Sequence, residues 1–191
     1  MAHPTTDAET RLQQLEARLQ TLEAEQAIRA CVNRYMALCD RLDARTPLDE
    51  LLSLFTEDAV WSGRGSRYGS SFGRHEGRAA IGTMLARYMG TPAHFALNVH
   101  FLCSELIHVD SPYSADAHWV MLQTSTFADG RSHLNAAQLR LRMVHDLDGQ
   151  WRIARFETEN LFSRPVDHWQ SDTALPVPAA TAIPPQAAPH G

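Results

Sequence analysis

The stretch HFALNVHFLCSELIHV, residues 94–109, opens the part of the chain that decides the fold. Three similar segments follow it, and Asp-Ser-Pro or Asp-Gly turn signals separate the four. Asp-Gly turns between such segments are typical of antiparallel hairpins. The sequence therefore predicts a curved antiparallel sheet with strands at residues 94–109, 115–128, 133–146 and 150–162.

The residues before this sheet have helical periodicity. Residues 9–39 predict one long helix that begins with a leucine stripe at 3-4-3 spacing and continues with a core-facing seam from Ile28 to Cys39. We expect the striped half to pack on a neighbouring subunit or over the pocket mouth. A solvated extension with no partner is the alternative, since two heptads alone are marginal in water. The stripe consists of Leu12, Leu15, Leu19 and Leu22.

Shorter elements lie between the long helix and the sheet. The Thr46-Pro47-Leu48-Asp49 signal predicts a helix ending near Phe55, and residues 58–62 predict a strand. Residues 63–75 are rich in Gly, Ser and Arg and predict a loop, with a brief hairpin as the alternative, and residues 76–89 predict a third helix. Because helices come first and strands afterwards, the predicted fold class is α+β.

The two ends of the chain differ from the middle in composition. Residues 1–8 predict a disordered leader, and residues 9–165 predict one domain whose residues 9–26 are the leucine-striped extension. Residues 166–191 predict an extended tail, because a segment dominated by Pro and Ala cannot build a core.

Charge and cysteine content limit the function classes. The net charge is −5 and the chain has no lysine, which argues against a nucleic-acid partner. Three cysteines without a C-x-x-C pair favour a reducing compartment and argue against a cysteine zinc site. No apolar run is long enough for a bilayer, so we expect a cytoplasmic protein without a membrane partner. Since nucleotide-binding and zinc motifs are absent, we expect no cofactor and no metal, with chemistry carried by side-chain acids and bases.

Tyr35 and Asp40 are the first candidate residues. Five residues along a helix place two side chains about 140° apart, so both reach one cavity only if the helix ends near Asp40. A solvated helix end is the alternative interpretation of Asp40. His94 opens the first long strand, and alternation places Asn98 and His100 on its face. His94 is therefore a candidate base; a metal site with His100 is the less favoured interpretation because no third ligand stands nearby.

Several runs together resemble one protein family. They cover residues 15–162 and occur in the order LEARLQTLEAEQAIRACVNRYMALCDRLD, LLSLFTEDAVW, FGRHEGRAAIGTML, AHFALN and DGQWRIAR. Their order and spacing resemble those of SnoaL-like proteins of the nuclear-transport-factor-2-like superfamily. The resemblance implies a cone-shaped fold in which a curved, mostly antiparallel (mixed) sheet wraps around a pocket, with three helices. That superfamily contains dehydratases, isomerases, cyclases and proteins that are not enzymes, so the fold alone does not set the function.

A narrower resemblance points to particular residues. Tyr35, Asp40 and His94 match the catalytic positions of bile-acid 7α-dehydratases, and the run from His94 to Asn98 also resembles hexachlorocyclohexane dehydrochlorinase. At the positions where those relatives carry further Asp or Arg residues, this chain has other residues. These departures from the relatives imply a different substrate for this chain. We expect that substrate to contact Asn98, Gln123, Phe156 and Asn160.

The expected function is that of a cofactor-independent dehydratase, a lyase acting on a hydrophobic cyclic or steroid-like hydroxy-carbonyl compound. Asp40 would orient His94, His94 would remove a proton, and Tyr35 would donate a hydrogen bond to developing negative charge. A ketosteroid-isomerase-like isomerase or a polyketide cyclase is one alternative, and a non-catalytic ligand-binding or accessory subunit is another. We expect a homo-oligomer, either a trimer or a dimer.

Overall fold

A computed structural model describes residues 4–167 and residue 169. Helices cover one face of a sheet of six strands, so the predicted α+β class is confirmed. In chain order the elements are α1 Pro4–Asp40, α2 Leu48–Ser53, β1 Phe55–Arg64, α3 Gly65–Phe72, β2 Arg74–Glu76, α4 Arg78–Ala86, β3 Phe95–Ser111, β4 Ser114–Phe127, β5 Ser132–His145 and β6 Trp151–Val166. None of the helices in this described part has both the length and the apolar character needed to span a bilayer.

The sheet is curved, mixed and not closed into a barrel. Its strand order is β2-β1-β6-β5-β4-β3. The four long strands at the end of the chain pair antiparallel through successive hairpins, as the turn signals predict. β1 is the exception, because it pairs in parallel with β6. This pairing places the first strand of the chain beside the last one.

Helix α1 is longer than the sequence predicts. It starts at Pro4, so residues 4–8, expected to belong to a disordered leader, are helical. It ends at Asp40, which is the condition that a shared cavity for Tyr35 and Asp40 requires. Its leucine stripe is exposed to solvent, and its buried residues begin at Ala24. At about 100° per residue, the stripe lies about half a turn from the face that carries Ala24 and Ile28, so it does not cover the mouth of its own pocket.

The segment 63–75 is not the irregular loop that its composition predicts. It contains α3 and β2. Tyr68 and Phe72 lie one turn apart on α3 with their rings 4.8 Å from each other, and Phe72 also meets Trp61 of β1 at 5.7 Å. Packing of these rings outweighs the low helix propensity of the glycines and serines. The third predicted helix, residues 76–89, is shorter in the structure, where it is α4.

The core lies between the helices and the concave face of the sheet. Fully buried apolar side chains come from both layers, and each contributes about 1.5–3 kcal/mol through burial. They include Ile28, Val32, Leu51, Phe55, Ile81, Leu139, Met143 and Ile153.

The predicted tail, residues 166–191, lies mostly outside the described residues. Val166 is still part of β6, and the indole of Trp169 donates a hydrogen bond to the Ser125 carbonyl at 3.3 Å.

Candidate active site

A cavity opens where the end of α1, α3 and α4 meet the concave face of the sheet. Its empty volume is about 700 Å³, including the opening to solvent. The walls are mainly aromatic and aliphatic, and none of the described residues that line it is an arginine. Polar groups reach it from α1 and β3 on one side and from β4 and β6 on the other; they include Tyr35, Asn98, His100, Gln123 and Thr158.

Tyr35 lines this cavity and is 4% exposed. Its hydroxyl oxygen accepts a hydrogen bond from the Trp61 indole N–H at 3.1 Å. Its ring packs edge-on against Phe55 and tilted against Phe156. Burial, reinforced by the neighbouring Cys39 thiol, raises the pKa of Tyr35 well above its ordinary value of 10.0. The phenol therefore keeps its proton at neutral pH and is a hydrogen-bond donor.

Asp40 is paired with His100. One carboxylate oxygen, Oδ1, lies 2.6 Å from His100 Nδ1 and accepts the backbone N–H of the same residue at 2.9 Å. The two side chains are 27% and 10% exposed, respectively. A carboxylate at a helix C-terminus is opposed by the helix dipole. Here two hydrogen bonds from β3 hold it in place.

The protonation of this pair follows from its hydrogen bonds. An ionised carboxylate only accepts hydrogen bonds, so Nδ1 of a neutral His100 must carry the proton. Nε2 then has a free lone pair. Because His100 lines the cavity, this arrangement offers a basic nitrogen to a molecule bound there.

Asn98 fixes the junction between α1 and the sheet. Its amide donates to the Cys39 carbonyl, in the last turn of α1, at 3.1 Å. Its side-chain oxygen accepts hydrogen bonds from Gln123 and Ser125, each at 2.8 Å. Asn98 is 7% exposed and lines the cavity with its hydrogen-bonding groups occupied. It positions the residues on either side of it.

His94 does not lie beside Asp40, which corrects the expected pairing. It is exposed, just before β3, and its ring contacts Tyr88 at 5.1 Å, Phe95 at 4.5 Å and Phe127 at 5.4 Å. The cause is an irregularity in the β3–β4 register between Phe95 and Leu97, which interrupts the alternation. One inserted residue moves the preceding side chains to the other face of a strand. Asn98 and His100 therefore face the cavity and His94 does not.

The remaining predicted contact residues divide into two groups. Gln123 and Phe156 line the cavity, and the Phe156 ring stacks on Trp61 with centroids 5.7 Å apart. Asn160 does not line it; its amide donates to the Phe162 carbonyl at 3.0 Å and the Ala136 carbonyl at 3.4 Å. Asn160 thus secures the bulged end of the β5–β6 pair.

His100, Tyr68, Tyr88 and Thr158 also line the cavity and are not among the predicted site residues. Alternation from Asn98 indicates that His100 faces the pocket, but nothing in the sequence pairs it with Asp40. Tyr68 and Tyr88 line the cavity, and burial raises the pKa of both phenols above 10.0. Thr158 is 4% exposed, and its hydroxyl has no hydrogen-bond partner within the described chain. These hydroxyls lie on elements far apart in sequence, and no local pattern marks them.

Residues 4–167 and 169 contain no group of three or more His, Cys, Asp or Glu side chains that could hold a metal ion.

The model of the SnoaL-like domain family matches residues 20–157, which is more than half of the chain. The chain belongs to the SnoaL-like domain family. The family resemblance predicted from the sequence is therefore confirmed. No curated protein sequence matches this SnoaL-like chain significantly.

Solved structures similar to this SnoaL-like protein share its fold. A candidate scytalone dehydratase from Novosphingobium aromaticivorans is 22% identical with a TM-score of 0.64, and the match covers 80% of this chain and 92% of that one. A hexachlorocyclohexane dehydrochlorinase from Novosphingobium barchaimii is 17% identical with a TM-score of 0.63, covering 78% and 94%. An NTF2-like protein with a cystatin-like fold from Novosphingobium aromaticivorans is 26% identical with a TM-score of 0.60, covering 78% and 90%.

Proposed function

We propose that this SnoaL-like protein is a cofactor-independent lyase that removes water from a hydrophobic cyclic hydroxy-carbonyl compound, with His100 as the base. The observation that carries the proposal is the hydrogen-bonded Asp40–His100 pair at the wall of an apolar cavity that also contains the Tyr35 phenol. The fold is shared with proteins named for elimination reactions, a candidate dehydratase and a dehydrochlorinase, which supports this reaction class.

His100 takes the role for which the sequence suggested His94. Its Nε2 lone pair would remove the proton alpha to the substrate carbonyl. Asp40 would keep Nδ1 protonated and stabilise the positive charge that the ring acquires. A carboxylate held by two hydrogen bonds is already oriented for this task, so no reorganisation is needed during the reaction.

Tyr35 would stabilise the intermediate. When the alpha C–H bond breaks, its electron pair moves onto the carbonyl oxygen and forms an enolate. The Tyr35 oxygen already accepts the Trp61 N–H, so its own O–H can be donated to that oxygen. The raised pKa of Tyr35 keeps this proton in place.

Elimination would complete the step. The enolate reforms the carbonyl, a carbon–carbon double bond forms, and the bond to the beta hydroxyl breaks. The proton on His100 Nε2 passes to the departing hydroxyl, which leaves as water. Substrate therefore becomes product plus water, and His100 returns to its neutral form without a co-reactant.

The cavity walls support a ring-shaped apolar substrate. Trp61, Phe156 and Tyr88 present aromatic surfaces, and such surfaces bury flat rings well. Since the described lining of the cavity contains no arginine, a carboxylate-bearing substrate would lack a guanidinium partner there. Neutral hydroxy-ketones are thus the class to test first.

The experiment is a screen of cyclic beta-hydroxy ketones with mass spectrometric detection of the loss of one water. The turnover of His100→Ala should fall by about 10²–10⁴, the usual contribution of a general base. His94→Ala is the matched control and should stay within a few-fold of wild type, because His94 lies outside the cavity. Loss of activity in His94→Ala alone would refute the assignment of the base.

Two other results would redirect the proposal. Turnover without a change of mass would favour an isomerase. Binding of the ketones to wild type without any turnover would favour a ligand-binding protein. The His100 tautomer can be checked without substrate, since nitrogen-15 NMR of the imidazole should show a proton on Nδ1 and none on Nε2 at high pH.

A further inference from the structure

The exposed half of α1 carries an apolar face that has no intrachain partner in the described structure. All side chains from Asp7 to Glu23 are exposed, while burial of the helix starts at Ala24. The leucine stripe, defined as Leu12, Leu15, Leu19 and Leu22, is between 53% and 60% exposed. It faces away from the domain, so a second helix can approach it without meeting the sheet. Four aligned leucines in water are unfavourable unless something covers them.

The charges beside the stripe follow a heptad pattern. If Leu12 and Leu19 are a positions and Leu15 and Leu22 are d positions, the g positions are Arg11 and Arg18. The e positions are Glu9, Glu16 and Glu23, so one border of the stripe is basic and the other is acidic. None of these five side chains forms an ion pair with another part of the described chain.

This charge order distinguishes two ways of pairing the helix with a copy of itself. In a parallel pair, each g residue faces the e residue of the following heptad of the other helix. Arg11 would then meet Glu16 of the partner subunit, and Arg18 would meet Glu23 of the partner subunit, with the same two contacts repeated by symmetry. In an antiparallel pair, g faces g and e faces e, so Arg would face Arg and Glu would face Glu.

We propose that the leucine stripe binds the stripe of a second copy of this chain in a parallel coiled coil. The proposal is independent of the proposed lyase activity, because every side chain assigned to the cavity belongs to a single chain. The chain's own residues 173–191 are a poorer occupant, since they contain no Asp, Glu, Lys or Arg to match the two charged borders. Pairing also stabilises a projecting helix that is marginal alone.

The test measures the molar mass of the full chain by size-exclusion chromatography with light scattering over a concentration series. Wild type should reach twice the chain mass of 21.3 kDa. Arg11→Glu with Arg18→Glu makes both borders acidic. This double variant should elute with the mass of one chain. Adding Glu16→Arg and Glu23→Arg to it restores opposite charges in a parallel pair and should restore the doubled mass.

Controls separate the helix contact from other causes. Gln13→Glu with Gln20→Glu adds acidic charge to the same helix outside the stripe and should leave the doubled mass unchanged. Circular dichroism should show the same folded domain in every variant. If wild type forms a larger assembly, the proposal survives only if Arg11→Glu with Arg18→Glu splits it and the four-residue variant restores it.

Three results would overturn the proposal. The first is a wild type that has the mass of one chain at all concentrations. This result counts against the proposal even if the chain associates once residues 171–191 are removed. The second is an unchanged mass in the variant with Arg11→Glu and Arg18→Glu. The third is a four-residue variant that stays dissociated, because the exchange leaves every g–e pair of a parallel coiled coil oppositely charged and should therefore restore it.

Discussion

The two halves of α1 form one continuous helix in two different environments. Residues 24–40 pack on the sheet and carry Tyr35 to the cavity and Asp40 to His100 at its wall, while residues 7–23 are exposed to solvent. Both halves have apolar residues at helical spacing. The difference is in what lies opposite: strands β3 and β6 face one half, and no described residue covers the leucines of the other.

This contrast separates catalysis from assembly along a single element. Changes near Asp40 should affect chemistry and stability within one chain. Changes near Leu19 should affect only the association of chains. The following substitutions test this separation, beginning with the largest expected effect.

Asp40→Asn should reduce kcat by about 10²-fold or more on a substrate found in the ketone screen, because the charge that stabilises protonated His100 is lost; the corresponding change in a Ser-His-Asp triad costs about 10⁴. KM should change little. Leu19→Ala, in the exposed half, should keep the wild-type kcat. An Asp40→Asn variant that retains more than a tenth of the rate would argue against the dyad.

Ile28→Ala should lower the free energy of unfolding by about 2–5 kcal/mol, because a fully buried side chain is replaced by a cavity. Leu19→Ala is the matched change in the exposed half and should stay within about 0.5 kcal/mol of wild type. Urea unfolding, at a concentration where light scattering gives the mass of one chain, measures both. Equal losses would show that the two halves are covered alike within one chain.

Tyr35→Phe should cost about 1–3 kcal/mol of stability, because the buried Trp61 N–H loses its acceptor. Thr21→Ala removes an exposed hydrogen bond to the Ala17 carbonyl in the other half and should be nearly neutral. Thermal unfolding of the two variants side by side gives the comparison. A neutral Tyr35→Phe would mean that water satisfies the indole.

Cys39 should make the buried half sensitive to alkaline pH. Burial raises the pKa of its thiol from 9.0 to about 12. As the pH rises, the unfolded chain therefore loses this proton at a lower pH than the folded chain does. The free energy of unfolding is unaffected below about pH 9 and falls as the pH rises towards 12. Relative to Cys39→Ala, wild type should lose about 1 kcal/mol between pH 8 and pH 10.

Denaturant unfolding at the two pH values measures this loss. The difference between wild type and Leu19→Ala should stay constant over the same range, because Leu19 does not titrate. A constant difference between wild type and Cys39→Ala would contradict the raised pKa.

The fold could be predicted where the information is local. Asp-Ser-Pro and Asp-Gly turns between long apolar segments favour hairpins, and these signals predict the four antiparallel strands. The parallel pairing of β1 with β6 joins residues such as Phe55 and Ile153, and no turn marks it. Helix α3 was missed because its stability comes from the contacts of Tyr68 and Phe72 with each other and with Trp61, whereas its composition favours a loop.

The candidate site could be predicted only in part for a similar reason. Whether Tyr35 and Asp40 reach one site depends on where α1 ends. Their five-residue spacing predicts that the helix must end near Asp40, and the position of that end comes from the structure. Which histidine faces the cavity, His94 or His100, depends on an irregularity of one residue in β3. No turn residue in the sequence marks this irregularity. A resemblance to relatives cannot detect such an irregularity, because it compares residue types and not the faces of strands.

The pairing of β1 with β6 also determines when the cavity can form during synthesis. β1 leaves the ribosome early, but its parallel partner follows about a hundred residues later, and β6 carries Phe156 and Thr158 of the cavity wall. Contacts so distant along the chain form slowly and leave a strand edge and apolar surface uncovered in the meantime. Nascent chains that stop before Trp151 should therefore bind chaperones, whereas the contacts within the first half of α1 are local and do not depend on β6.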